Sequence, residues 1–295
     1  MAVDNWFVFA LASALCTAVA AVVQKRTLQD THTVDFAVAL SLVVGVVSIV
    51  ILYFFPLHEM PLKLALGLVP LSGGAALGYF YATRAIRHLP ISVSSPLLLL
   101  APVVTTVLAY VVLGEALRTP HLLGIAVLVA GLYVFEARHL RNWREAAHGL
   151  FDSGFTRFAL LAVFLYGCTS IFDRVALGWW KVPVIQYIAL AQIGIALWMI
   201  VIARVFERRS LRDALSAVSG TWGFIILIVA LTIAYRLLQS YAVVSAPVGM
   251  VSAVKHSSVF FAVLIGGRLF HEDALLRKTI GSAIMIAGLT ILALS

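Results

Sequence analysis

The chain of 295 residues is 62% apolar and 12% charged, where soluble domains run at roughly 45–50% and about 25%. With a mean hydropathy of +1.05, that excess excludes disorder, coiled coil, collagen and a water-soluble enzyme, and points to an integral membrane protein. The net charge of +8 does not indicate a nucleic-acid partner, because the basic residues fall between apolar runs, where they orient helices against an anionic leaflet.

A helix needs roughly 20 mostly apolar residues to cross a bilayer. Ten such runs follow one another, at about 5–25, 34–55, 62–84, 90–113, 119–137, 157–178, 183–204, 217–241, 246–270 and 275–295. Strand-like alternation is absent, so the expected fold is all-α, with helices and not a barrel satisfying the backbone. The first run lacks a basic start and a small-residue cleavage pattern, and Lys25-Arg26 follows it, so it reads as a retained span. Alternate joints collect Lys25, Arg26, Arg84, Arg87, Arg138, Arg141, Arg144, Arg157, Arg204, Arg208, Arg209, Arg212, Arg277 and Lys278 on one side. The other side receives little beyond Lys63, Arg118, Arg174 and Lys181. The positive-inside rule makes the rich side cytoplasmic and puts both termini outside. Cys16 and Cys168 lie within apolar runs and have neither metal spacing nor disulfide arithmetic.

The longest polar joint, Arg138 to Thr156, mixes bases with Trp143, Phe151 and Phe155 and predicts a short amphipathic helix at the interface. It divides the chain into residues 1–137, a linker at 138–156, and residues 157–295. The halves correspond at an offset of 157 residues, which pairs Ala85 with Ala242, Pro90 with Pro247, Glu115 with Glu272, Gly124 with Gly281 and Gly131 with Gly288. The expected architecture is therefore two five-helix repeats. Five is odd, so the second repeat enters the membrane from the opposite side. Inverted repeats of this kind enclose a central cavity near the midplane and rock about it.

Polar groups at bilayer depth mark cavities or partners. Lys255 and His256 fall about nine residues into the ninth run, roughly 13–15 Å deep at 1.5 Å per residue. Their counterparts, Leu98 and Leu99, are apolar, and Ser252 and Ser258 flank Lys255 by one turn. Arg236 shares a face with Thr232, Gln239 and Ser240 in the eighth run, and its counterpart is Tyr79 in the third. A guanidinium can offer two parallel donors to a carboxylate or phosphate; a salt bridge to Asp173 is the alternative. Tyr166, Thr169, Ser170 and Asp173 form one stripe on the sixth run, matched approximately by Thr17, Ala20, Ala21 and Gln24 on the first. Thr169 and Ser170 can equally serve as interhelical glue. The candidate substrate-binding set is Lys255, His256, Arg236, Tyr79, Tyr166, Thr169, Gln239 and Ser252. Gln186, Gln192 and Trp198 are weaker signals. Pro96, Pro102, Pro247 and Gly249 are candidate hinges, Glu115 and Glu272 read as helix-start electrostatics, and the paired glycines read as close packing.

The ten short helices, the segment Pro102 through Leu113-Gly114-Glu115, and the matching stretch Val254-Lys255-His256-Ser257-Ser258 through Phe270-His271-Glu272 resemble EamA-type members of the drug/metabolite transporter superfamily. The resemblance covers essentially the whole chain. Two positions depart from it: His271 stands where the first half has Gly114, and Val259 stands opposite Pro102. The resemblance implies ATP-independent secondary transport of a small metabolite, frequently export, across a bacterial inner membrane. Taken with the buried bases, it points to a polar metabolite bearing an anionic group: an organic anion, an amino acid or a phosphorylated compound. A lipid flippase for a phosphate-bearing headgroup and a proton-coupled exporter of cationic drugs are the rivals, though the latter would want a carboxylate in the first run. No H-E-x-x-H, G-x-S-x-G or ATP-binding loop occurs, so no enzyme activity, metal or cofactor is expected. Membrane lipid and the metabolite are the expected partners; protons, carried by His256, and a homodimer stay open.

Overall fold

The structure is a computed structural model and describes residues 5–56, 62–114, 118–136, 154–176, 180–245, 251 and 254–294. Residues 138–153 of the expected linker, with Glu115, Ser252, Pro247 and Gly249, lie outside the described residues, and residues 154–156 already belong to a helix that continues into the second half. Twelve α-helices carry the described chain: α1 (Asn5–Asp30), α2 (Thr33–Phe54), α3 (Leu62–His88), α4 (Ile91–Leu98), α5 (Ala101–Leu113), α6 (Thr119–Glu136), α7 (Gly154–Arg174), α8 (Val184–Phe206), α9 (Leu211–Ala217), α10 (Trp222–Ser245), α11 (Ser258–Leu269) and α12 (Leu275–Leu294). No strand occurs among the described residues.

Seven described segments are long and apolar enough to cross a membrane: Trp6–Asp30, Thr33–Phe54, Ile91–Leu113, Gly154–Asp173, Val184–Phe206, Ser219–Gln239 and Leu275–Leu292. Thr119–Phe135 is a shorter apolar helix. Large apolar side chains such as Tyr53, Val111 and Val205 stay exposed on their outer faces. Water would penalise those surfaces and hydrocarbon would not. The chain is a multi-pass membrane protein.

The fourth run is broken. Leu99 and Leu100 close i→i+3 bonds to Pro96 O and Leu97 O (both 3.1 Å) between α4 and α5. Prolines on both sides account for it, since Pro96 and Pro102 each remove a backbone donor. The same break recurs 157 residues later without either proline. Ser257 N donates to Val254 O at 3.1 Å before α11 begins, and Ser257 Oγ donates to the same carbonyl at 2.6 Å. The turn that ends each broken run also repeats. Gly114 takes the left-handed conformation at φ +68, and His271, its counterpart, takes φ +52.

One end of the bundle gathers the positive joints. Lys25 Nζ donates to the carbonyls of Ile86, Arg87 and Leu89 at 2.6–2.9 Å, satisfying the open C-terminus of α3. Glu272 does the complementary task for α4, accepting from the backbone N–H of Ile91 (2.7 Å) and Ser92 (3.1 Å) and from the Ser92 hydroxyl. Lys278 lies 3.7 Å from Glu272 and donates to Ser92 Oγ at 2.8 Å. Expected to act at the start of its own following helix, Glu272 instead pins the end of one half to the start of a helix in the other. Arg84 pairs with Glu207 at 3.6 Å and Arg209 with Asp35 at 3.8 Å, again between halves. His88 stacks on Phe155 with centroids 4.0 Å apart. Past the apolar part of α3, burial and the charges of Arg87 and Arg84 hold this imidazole below its ordinary pKa. Ser210 caps α9 in a reciprocal box with Asp213, and those hydrogen bonds hold the Asp213 carboxyl below the usual range.

At the far edge of the bundle α6 and α12 touch backbone to backbone. A Cβ on Gly124 would meet Gly288 O and Leu292 N, and one on Gly131 would meet Gly281 O and Met285 N. Cβ atoms on Gly288 and Gly281 would meet Leu128 N and Phe135 N in turn. As one residue number rises its partner's falls, so the helices run antiparallel.

Candidate functional site

A cavity of ≈ 370 Å³ lies between the halves, lined by α1, α2, α3, α7, α8 and α10. Three glycines on α3 explain why α7 and α8 come so close. A Cβ on Gly78 would sit 3.0 Å from the Tyr166 ring, one on Gly74 3.4 Å from Thr169, and one on Gly73 3.0 Å from Trp198. Trp198 then donates its indole N–H to Val69 O at 3.0 Å, inside the turn that Pro70 interrupts. The result sets Tyr166 on α7 opposite Tyr79 on α3, both on the cavity wall.

From α10 come Thr232, Tyr235 and Arg236, at i, i+3 and i+4 on one face. From α1 come Thr17, Ala20, Ala21 and Gln24, and from α8 Gln192 and Ile195. Leu40, Ser41 and Val44 on α2 complete the wall with Ala75. Among these lining residues Arg236 alone is charged, and none is acidic. Several hydroxyl hydrogens are already spent on carbonyls of their own helices: Thr17 on Ser13 O at 2.8 Å and Ser41 on Val38 O at 3.0 Å. The Tyr79 hydroxyl oxygen is buried and has no hydrogen-bond partner among the described residues.

Lys255 and His256 occupy the turn immediately before the break that precedes α11. Neither is among the lining residues. Lys255 Nζ lies 5.8 Å from the centre of the Tyr235 ring, a cation–π distance, so the ammonium stands one ring behind the cavity surface. Gln239 is on α10 beyond Arg236 and does not line the cavity. Thr169 and Ser170 both donate to Tyr166 O, at 3.0 and 2.8 Å, on their own helix. Thr169 lines a second, smaller space with Asp173 and Tyr187. Of the eight residues singled out from the sequence, Tyr79, Tyr166 and Arg236 thus meet in one cavity, and Ser252 lies outside the described residues. Sequence reading overlooked Tyr235 and Ser41. The i, i+3, i+4 spacing of Thr232, Tyr235 and Arg236 was a usable signal for the first, and a lone serine in an aliphatic helix gave none for the second.

Two comparisons bear on identity. The model of the EamA-like transporter family matches twice, over residues 4–136 and again over 157–294. The chain belongs to the EamA-like transporter family. It is built as two copies of the EamA unit, and this places it in the drug/metabolite transporter superfamily as a membrane transporter. A solved crystal structure of a 15% identical protein superposes with a TM-score of 0.60 over 98% of this EamA chain and 96% of its own. At that identity the likeness speaks for the fold alone. No curated protein matches the chain.

Proposed function

We propose that this EamA protein is a secondary carrier for a small metabolite bearing a carboxylate or phosphate, held at Arg236 and moved by alternating access. The observation that carries the reading is the cavity wall: one guanidinium, two carboxamides (Gln24 and Gln192), three phenols, and no acid among its lining residues. A guanidinium facing a low-dielectric space can offer two parallel donors to a carboxylate or phosphate, and it repels cations. The same absence counts against the cationic-drug exporter. Lys255, one ring away, adds positive potential without touching the solute.

Alternating access needs two halves related by an axis in the membrane plane. The antiparallel α6–α12 contact supports that relation, because exchanging each residue for the one 157 positions away maps its glycine contacts onto themselves. So do the pairs α1 with α10 and α3 with α7, which are the same contact made by opposite halves. We read ten spans, with the third run in α3, the fifth in α6 and the ninth across residues 246–270. The positive end faces the cytoplasm of a bacterial inner membrane.

A thermal-shift screen of purified protein against anionic, zwitterionic and cationic metabolites tests the reading, since a ligand of the folded state raises its apparent stability. Compounds with an anionic group should stabilise the native chain and lose most of that effect in Arg236→Gln. Lys255→Ala should weaken the effect without removing it. A response confined to cations would overturn the proposal. Lipid scrambling in protein-containing liposomes, with no response to soluble anions, would favour a headgroup as the cargo.

A further inference from the structure

The second space, ≈ 40 Å³, lies beside the central cavity toward the end of the bundle opposite the positive joints, and Ala75 lines both. Its other walls are Leu68, Leu71 and Ser72 of α3, Thr169, Phe172 and Asp173 of α7, and Tyr187 and Ala191 of α8. A cavity needs roughly 10–15 Å³ to hold a water, so this space admits water but no organic solute. We infer that Asp173, hydrogen-bonded by Tyr187 in this antechamber, is the site that binds and releases the proton driving transport.

Three observations carry the assignment. The Tyr187 hydroxyl donates to Asp173 Oδ1 across the α7–α8 boundary. The other polar groups of the space offer only acceptors, because Ser72 gives its hydrogen to Val69 O at 2.6 Å and Thr169 gives its own to Tyr166 O at 3.0 Å. A wall of acceptors around a carboxylate welcomes O–H donors and excludes anions. Finally, Arg236, the cation of the central cavity, acts on Asp173 through space. The groups that bear on Asp173 from the packed helices are therefore Tyr187 of α8 and Arg236 of α10, with Ser72 facing it from α3. An anion bound at Arg236 changes the field at Asp173, and by linkage protonation of Asp173 changes anion affinity by the same factor.

This inference rests on the carrier reading but is tested apart from it. Infrared difference spectra of the full chain in liposomes, titrated with acid in light and heavy water, should show a protonated-carboxyl C=O band. That band should be missing from Asp173→Asn and should move in frequency in Tyr187→Phe, where the acid loses its donor. Spectra of the native chain indistinguishable from both variants would overturn the assignment. So would a titration in Asp173→Asn identical to the native one, or a band that responds to sodium replacing choline at constant pH, which would make the ion a metal cation. The thermal shift caused by inorganic phosphate or citrate, measured on Asp173→Asn, reports on the carrier separately: a retained shift without the band keeps the carrier and removes the proton site. With sulfate as the probe, whose charge is constant over this range, the shift in the native chain should vary with pH, and it should vary less in Asp173→Asn.

Discussion

At Gly114 and His271 the two halves require the same backbone of different residues. Both follow a broken run, both adopt positive φ, and only glycine does so without a Cβ penalty, which is about 1 kcal/mol for other residues. Histidine is among the side chains that tolerate the left-handed region best. His271→Gly should therefore raise stability by roughly 0.5–1 kcal/mol, seen as a higher melting temperature in detergent; a fall would mean that the imidazole contributes something the backbone argument omits. Lys25 presents the reverse case. Its ammonium satisfies three carbonyls at the end of α3, so Lys25→Met should cost roughly 2–3 kcal/mol. Neither role could be read from composition. Lys25 looked like one more positive joint residue, and its partners are carbonyls 61 to 64 residues away. His88 carries a pH signature. Its pKa is lowered on folding, so the unfolded chain binds the proton more tightly and stability is complete above the ordinary histidine value. As pH falls through that value toward the folded one, stability is lost. Melting temperatures between pH 7.5 and 5.5, in the range of a histidine titration, should decline less in His88→Phe, which keeps the stack on Phe155.

Among the helices, the glycines of α6 and α12 let two backbones touch, and their spacing in sequence already said so. A side chain at Gly131 would meet Met285 N at 2.5 Å, and backbone cannot step aside as a flexible side chain can. Gly131→Val should destabilise by about 1–3 kcal/mol, whereas Gly223→Ala, with nothing within 4 Å, should be neutral or slightly stabilising in the same melting assay. The length of the apolar runs and the repeat made these elements legible, because a span's length and its small residues are local properties; which helices pair is a long-range property and was not. The cavity was legible only in part. Tyr79, Tyr166 and Arg236 announce themselves as polar groups at bilayer depth. Which of two neighbouring groups reaches the cavity depends on the break before α11, however, and there Lys255 is turned behind Tyr235. Sequence predicts that break poorly, since the second half makes it without the prolines that mark it in the first.

For the molecule as a whole, the question is what closes the positive end. Moving along α1, α2, α3, α8 and α10 from the cavity toward that end, the next residues belong to two apolar clusters. One joins Val34, Val38, Phe80 and Met199, and the other joins Leu28, Phe36, Ile225 and Ile228. Outside them stand the pairs Arg84–Glu207 and Arg209–Asp35. The side chains of Arg84 and Glu207 are 37% and 27% exposed, and ion pairs of that kind contribute about 0–1 kcal/mol. Truncating a fully buried methionine costs about 2–5 kcal/mol. The clusters, and not the Arg84–Glu207 pair, should therefore hold this end shut. With Cys16 and Cys168 replaced by alanine and a reporter cysteine at Ser41, a charged maleimide added from the positive side should label the chain slowly. Arg84→Ala should raise that rate by no more than about five-fold, the equivalent of 1 kcal/mol. Met199→Ala should raise it by about ten-fold or more, even if only some 1.4 kcal/mol of its cost falls on the closed form. Equal acceleration by both variants, or none by Met199→Ala, would assign closure of this end to its charges and not to its apolar clusters.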